Sequence, residues 1–202
     1  MNETVINRRE QIIETAAKLF CNKGFESATM RDIAAEMGVE AASLYHHIGS
    51  KDEILKEICF SMADKFIDAI NEVNDIYFNA EEKLRLAIRN HAVILAKNPF
   101  ESLVFINEWR SLAQPGLDEF IKLRNDYENG IKNIVKNGIE EDVFDDVDLK
   151  FATISILSTL NGIIQWYKPD GDMNAEQIAQ KLSDFILGGL RKKLVTDINY
   201  KP

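Results

Sequence analysis

Ser43, Tyr45 and His46 bring a hydroxyl, a phenol and an imidazole together within one short stretch, directly after the small residues Ala41 and Ala42. This is poor material for catalysis. His46 and His47 are adjacent, so on a helix they diverge and cannot form the facing i, i+4 pair that a metal needs. His91 has no partner in the sequence, and the chain has no glycine-rich phosphate loop, nucleophile elbow or metal-spaced cluster of His and Cys. No catalytic, metal or cofactor site is therefore expected. Recognition suits these residues better. Small side chains at a helix start permit close approach to a DNA major groove, where the groups that follow could meet base edges.

Such a helix must be held in place, and the flanking sequence supplies the means. Thr29 is a good N-cap with Asp32 three residues on, and Met30, Ile33, Ala34 and Met37 recur at helical spacing. Gly38 can take the positive φ of a tight corner, and Val39 plugs it. A second helix then runs from Ala41 to His47, anchored by Leu44 and Ile48. Two short helices around a glycine turn read as a helix-turn-helix, with double-stranded DNA as the partner. Upstream, Arg8 to Lys23 carries the apolar stripe of a supporting helix, ended by Gly24. Downstream, Ser50 caps a long helix with Glu53 completing the box and Ile54, Leu55, Ile58, Met62 and Phe66 on its buried face. Lys51 opposes the dipole of that helix. It is either an ordinary surface lysine or the partner of a phosphate lying over the helix start.

The chain of 202 residues has a formal net charge of −9, the wrong sign for a nonspecific nucleic-acid binder. Binding must then depend on where a few cations sit. Arg8, Arg9, Arg31 and Lys51 are the phosphate-facing candidates, so nonspecific affinity should be low and salt sensitivity moderate.

The run AAKLFCNKGFESATMRDIAAEMGVEAASLYHHIGSKDEIL closely resembles the N-terminal domain of the tetracycline-repressor (TetR) family of bacterial transcriptional regulators. The resemblance implies that Thr29 and Lys51 hold phosphate, that Ala42 and Ser43 face base edges, and that Tyr45 and His46 reach phosphate or bases. Two positions depart from the pattern. Ile48 replaces a usual Phe. Glu40 stands where a capping Ser or Thr is common; it either accepts from a cytosine amino group or rests in the favourable first-turn field, and the second reading is favoured.

The remainder reads as helices broken at Pro99, at Pro115 with Gly116, at Gly138 and at Pro169 to Gly171. The fold class is all-α. Residues 1–50 form a three-helix DNA-binding domain, and residues 51–202 form a helical effector-binding and dimerisation domain. Phe151 to Tyr167 is apolar on nearly all sides and should be buried on nearly all sides. With the last main helix, to Leu190, it holds more apolar surface than one packing contact covers, which points to a homodimer through a four-helix bundle. A dimer also spaces two reading helices for a near-palindromic operator.

Among the central helices, His91, Glu108, Trp109, Tyr127, Asn161 and Trp166 are polar or aromatic residues in apolar surroundings, as an effector pocket requires. The stretch NGIIQWYKPDGDMNAEQIAQKLSDFILGGL resembles the C-terminal signature of TetR-type regulators of fatty-acid and acyl-CoA catabolism. That implies a small hydrophobic effector such as an acyl-CoA. The competing reading is a helical carrier or interaction protein that has lost DNA binding. No apolar run resembles a signal peptide or reaches a membrane span, and Cys21 and Cys59 lack metal-like spacing, so a cytoplasmic protein with unpaired thiols is expected.

Overall fold

The computed structural model describes residues 7–192 and is helical, with no β-strand among them beyond one isolated bridge between Phe144 and Arg191. The helices are α1 (Arg8–Lys23), α2 (Met30–Glu36), α3 (Ala41–Leu44), α4 (Lys51–Asp75), α5 (Ala80–Lys97), α6 (Pro99–Asn107), α7 (Gly116–Glu140), α8 (Leu149–Asn161), α9 (Ile163–Trp166) and α10 (Ala175–Leu190), with a 3-10 turn at Trp109–Ser111. Residues 1–6 and 193–202, which belong to the two expected domains, lie outside the described residues.

Side-chain caps set most of the starts. Asn7 with Glu10, Thr29 with Asp32, Asn79 with Glu82 and Asn174 with Gln177 each form reciprocal capping boxes. The expected box at Ser50 is only half made. The Ser50 side chain accepts from the Glu53 N–H at 3.1 Å, but the Glu53 carboxylate accepts from the Gly49 N–H at 2.8 Å instead.

One continuous core runs from the small N-terminal helices into the body, through Ile12, Phe20 and Leu44 to Ile58, Leu84, Ile88 and Phe120. The long α4 is its spine, packing against α1, α5, α6 and α7, while α10 lies along α5.

Four expectations need correction. The reading helix does not run to His47: α3 ends at Leu44, and the chain tightens so that the His47 N–H donates to the Leu44 carbonyl at 2.8 Å. The helix expected between the breaks at Pro99 and Pro115 begins at Pro99 itself and stops at Asn107, giving way to the 3-10 turn at Trp109. Gly138 does not end its helix, because α7 continues to Glu140; the glycine is needed for a close approach, since a Cβ there would collide with the Phe144 ring. The stretch from Phe151 to Tyr167 is not one buried helix. It breaks at Gly162 into α8 and α9, and its outer face is open, with Phe151 74% and Ile154 47% exposed.

Candidate nucleic-acid interface and effector cavity

The helix-turn-helix is built around a fixed corner. Gly38 has φ +66°, a left-handed conformation that glycine adopts without strain, and the Val39 N–H donates to the Ala34 carbonyl at 3.0 Å. At the start of α2, Thr29 Oγ1 accepts from the Asp32 N–H and donates to Asp32 Oδ2 at 2.7 Å, while Lys23 holds the other carboxylate oxygen at 2.9 Å. These contacts, the Thr29 hydroxyl first, hold the Asp32 carboxyl down to about 2. Leu44 and Ile48 are buried and fix the reading segment. Thr29, Arg31, Ala42, Tyr45 and His46 are exposed beside it, and Ser43 is half-buried. Glu40 is exposed at the α3 N-cap with no capping hydrogen bond from its side chain.

Two cations behave differently from their sequence reading. Lys51 donates to the carbonyls of Phe25 at 2.9 Å and Glu26 at 3.0 Å, with its ammonium 4.5 Å from the centre of the Phe25 ring. It brackets the α1–α2 turn onto α4, a third use that neither sequence reading contained. Arg9 is no phosphate-facing group. Its guanidinium donates to Glu57 at 2.8 Å, to Glu53 at 2.7 Å and to the His47 carbonyl, so two carboxylates already neutralise it. Arg9 thereby ties the end of the reading segment to the first turns of α4.

Farther along, α4 forms one wall of an internal cavity of about 370 Å³. Phe66 of α4 stacks on Phe105 of α6 at 5.3 Å and lies 4.7 Å from the His91 ring of α5 and 5.3 Å from Tyr127 of α7. His91 Nδ1 is 2.9 Å from the Tyr127 hydroxyl. Burial pushes the imidazole down to about 3, a shift that the Asn161 side chain partly opposes, and burial also pushes the Tyr127 phenol upward. The exposed members of the lining, Arg110, Ile121 and Asn125, mark the open end, whereas His91 is buried. Near that end the Trp109 ring has Arg110 at 4.3 Å and Arg124 at 4.6 Å from its centre. Neither guanidinium forms an ion pair among the described residues.

Residues 12–58 match the family model of bacterial regulatory proteins of the tetR family, and residues 78–190 match the tetracyclin repressor-like C-terminal domain. The chain belongs to the TetR family. It is therefore a DNA-binding transcriptional regulator with a helix-turn-helix. The HTH-type transcriptional repressor KstR2 of Mycobacterium tuberculosis (strain H37Rv) is 28% identical over 191 residues, covering 94% of this chain and 96% of the relative. The structure of the TetR family regulator PfmR from Thermus thermophilus is 35% identical with a TM-score of 0.81, covering 92% of this chain and all of that one. AibR, solved in complex with isovaleryl coenzyme A and operator DNA, is 28% identical with a TM-score of 0.77 over 89% of this chain and 97% of its own.

In this TetR-family fold, four of the six expected effector residues line the cavity: His91, Trp109, Tyr127 and Asn161. Glu108 and Trp166 do not. Glu108 and Trp109 are consecutive around the end of α6 and turn to opposite sides, so Glu108 enters a cleft against Phe20 and Cys21 of α1. Trp166 follows the break at Gly162 and is 49% exposed. The sequence reading also missed Phe66, Phe105 and Arg124. Arg124 was findable, standing three residues before Tyr127 on the same face of α7. Phe66 carried no such signal, because a cavity aromatic and a core aromatic share one periodicity. Cys21 and Cys59 are unpaired, and burial pushes their thiols up to about 11 and about 12.

Proposed function

We propose that this chain is a homodimeric repressor that reads a near-palindromic operator and leaves it when an acyl thioester, or another elongated apolar ligand, enters the cavity. The observation that carries this reading is the placement of α4. One helix forms a cavity wall through Phe66, is pinned to the end of the reading segment through Arg9, and holds the α1–α2 turn through Lys51. A ligand that favours a different packing of Phe66 moves α4, and α4 moves His47 and the turn before Thr29. Release then requires a difference in effector affinity between the two arrangements of about 1–3 kcal/mol.

Residues 1–50 act as the DNA-binding unit and 51–202 as the effector and dimerisation unit. Thr29, Arg31, Ala42, Ser43, Tyr45 and His46 face the operator, with the remaining donor of Lys51 available to phosphate. The dimer forms through α8 and α10, whose outer faces flank an apolar trough of about 640 Å³ between Phe151 and Phe185, each 74% exposed. The acyl-thioester class is supported by the apolar cavity with two arginines at its open end, and by AibR, a structural relative bound to isovaleryl coenzyme A. At about 370 Å³ the cavity holds the acyl part, with the nucleotide outside.

A gel shift with DNA flanking the encoding gene tests the proposal. A near-palindromic fragment should be retarded and then released by micromolar acyl-CoA. Retention of the complex through a full chain-length series would overturn the effector assignment, and absence of any retarded fragment would overturn the operator reading.

A further inference from the structure

His91 is satisfied on one side only. Its Nδ1 meets the Tyr127 hydroxyl at 2.9 Å, whereas Nε2 is buried and has no hydrogen-bond partner among the described residues. Buried nitrogens without partners are uncommon, because desolvation is then uncompensated. The Tyr127 hydroxyl has no other partner among the described residues, and the imidazole sp2 nitrogen is a stronger acceptor than a phenolic oxygen. Tyr127 therefore donates to Nδ1, which places the ring proton on Nε2. The result is an N–H donor with nothing to donate to. Charging the ring gives no relief, since burial keeps it neutral. Flipping the ring would set Cδ2 in place of Nδ1 against the Tyr127 hydroxyl and lose the one hydrogen bond that the ring makes there. Phe66 and Phe105 offer no acceptor, and the Asn161 side chain, which lines the same cavity from α8 and stands near enough to oppose the effect of burial on the ring, makes no hydrogen bond of ordinary geometry to Nε2. A residue that merely filled this aromatic cluster would need no nitrogen at all.

We propose that His91 is a specificity-determining residue whose Nε2–H donates to a carbonyl oxygen of the effector, with Asn161 beside it, so that the cavity prefers a carbonyl-bearing ligand to a hydrocarbon of equal size. This rests on the cavity being the effector site. The oxygen comes either from the thioester itself or from a keto group along the chain, and the two sources are separable. In both cases the ligand supplies the partner that the folded protein withholds, and a saturated chain leaves the donor buried and unpaired.

Calorimetric titration of the full chain tests this with S-octyl-CoA, octanoyl-CoA and a set of oxo-octanoyl-CoAs carrying the keto group at successive carbons. At least one carbonyl-bearing ligand should bind about tenfold tighter than S-octyl-CoA, which lacks the acceptor. Octanoyl-CoA alone carrying the advantage identifies the thioester oxygen, and one oxo-isomer exceeding octanoyl-CoA identifies a chain carbonyl. In His91→Phe the advantage should vanish while S-octyl-CoA still binds. Equal binding of thioether and carbonyl ligands, or a preference that survives His91→Phe, overturns the inference and leaves the effector site standing. If none of these CoA adducts binds, the acyl-thioester reading fails. The role of His91 is then decided by nitrogen-15 NMR of histidine-labelled wild-type protein, which also covers a variant that fails to fold. Cyclohexanone should shift the His91 Nε2 resonance and methylcyclohexane should not; identical responses overturn the inference.

Discussion

At the scale of single residues, the reading surface and the cavity obey different rules. Tyr45 is 55% exposed and contributes little to the core, so Tyr45→Ala should keep its thermal midpoint while operator affinity falls by about 1–3 kcal/mol in a gel-shift titration. Arg31→Ala should weaken binding to all sequences alike and reduce the slope of log affinity against log salt by about one, measured by fluorescence anisotropy. His91 makes stability depend on pH. Its folded pKa of about 3 lies below the unfolded value near 6.5, so the unfolded chain takes up the proton first. The neutral-ring stability is fully present above about pH 6.5 and declines as pH falls towards 3, by at most about 1.4 kcal/mol per pH unit. Urea melts across pH 7 to 4 should show the wild type losing stability relative to His91→Phe as the pH drops; a constant difference between the two would rule this out.

Helices and turns were more legible than the contacts between them. Thr29 announced its helix because capping acts within four residues, a range a linear reading covers, and Asn79 and Asn174 cap theirs by the same local bonds. Gly138 was misread because a glycine needed for close packing looks, in sequence, like one needed for a stop. Its reason lies in Phe144, beyond the end of α7, and Gly138→Ala should cost about 1–3 kcal/mol in chemical denaturation as the ring is displaced. The same limit explains Arg9 and Lys51, whose charges suggested DNA but whose partners are fixed by tertiary packing, 48 residues away for Glu57 and 26 for Phe25. Four cavity residues were visible as polar or aromatic residues among apolar ones. Glu108 and Trp166 met the same criterion and failed, because facing direction depends on where α6 ends and where Gly162 breaks the chain. Arg9→Met removes a strut between two elements. It should leave most of the fold intact while blunting the ligand-induced loss of operator affinity, measured as the ratio of affinities with and without octanoyl-CoA.

For the whole molecule, the decisive test is assembly. Phe151→Asp with Phe185→Asp places charges on the exposed faces of α8 and α10 without touching the reading surface. Sedimentation should show a monomer with unchanged helical content and an operator affinity reduced by more than tenfold, since each half-site alone contributes only part of the binding. An undiminished dimer would move the interface elsewhere. The apolar faces around Phe151 and Phe185 also bear on gene dosage. If the assembly they form dissociates at the concentrations found in a cell, promoter occupancy rises with the square of the amount of chain present. Halving the concentration of the chain would then lift repression more than proportionally, so those two phenylalanines would set a threshold in copy number as well as a shape.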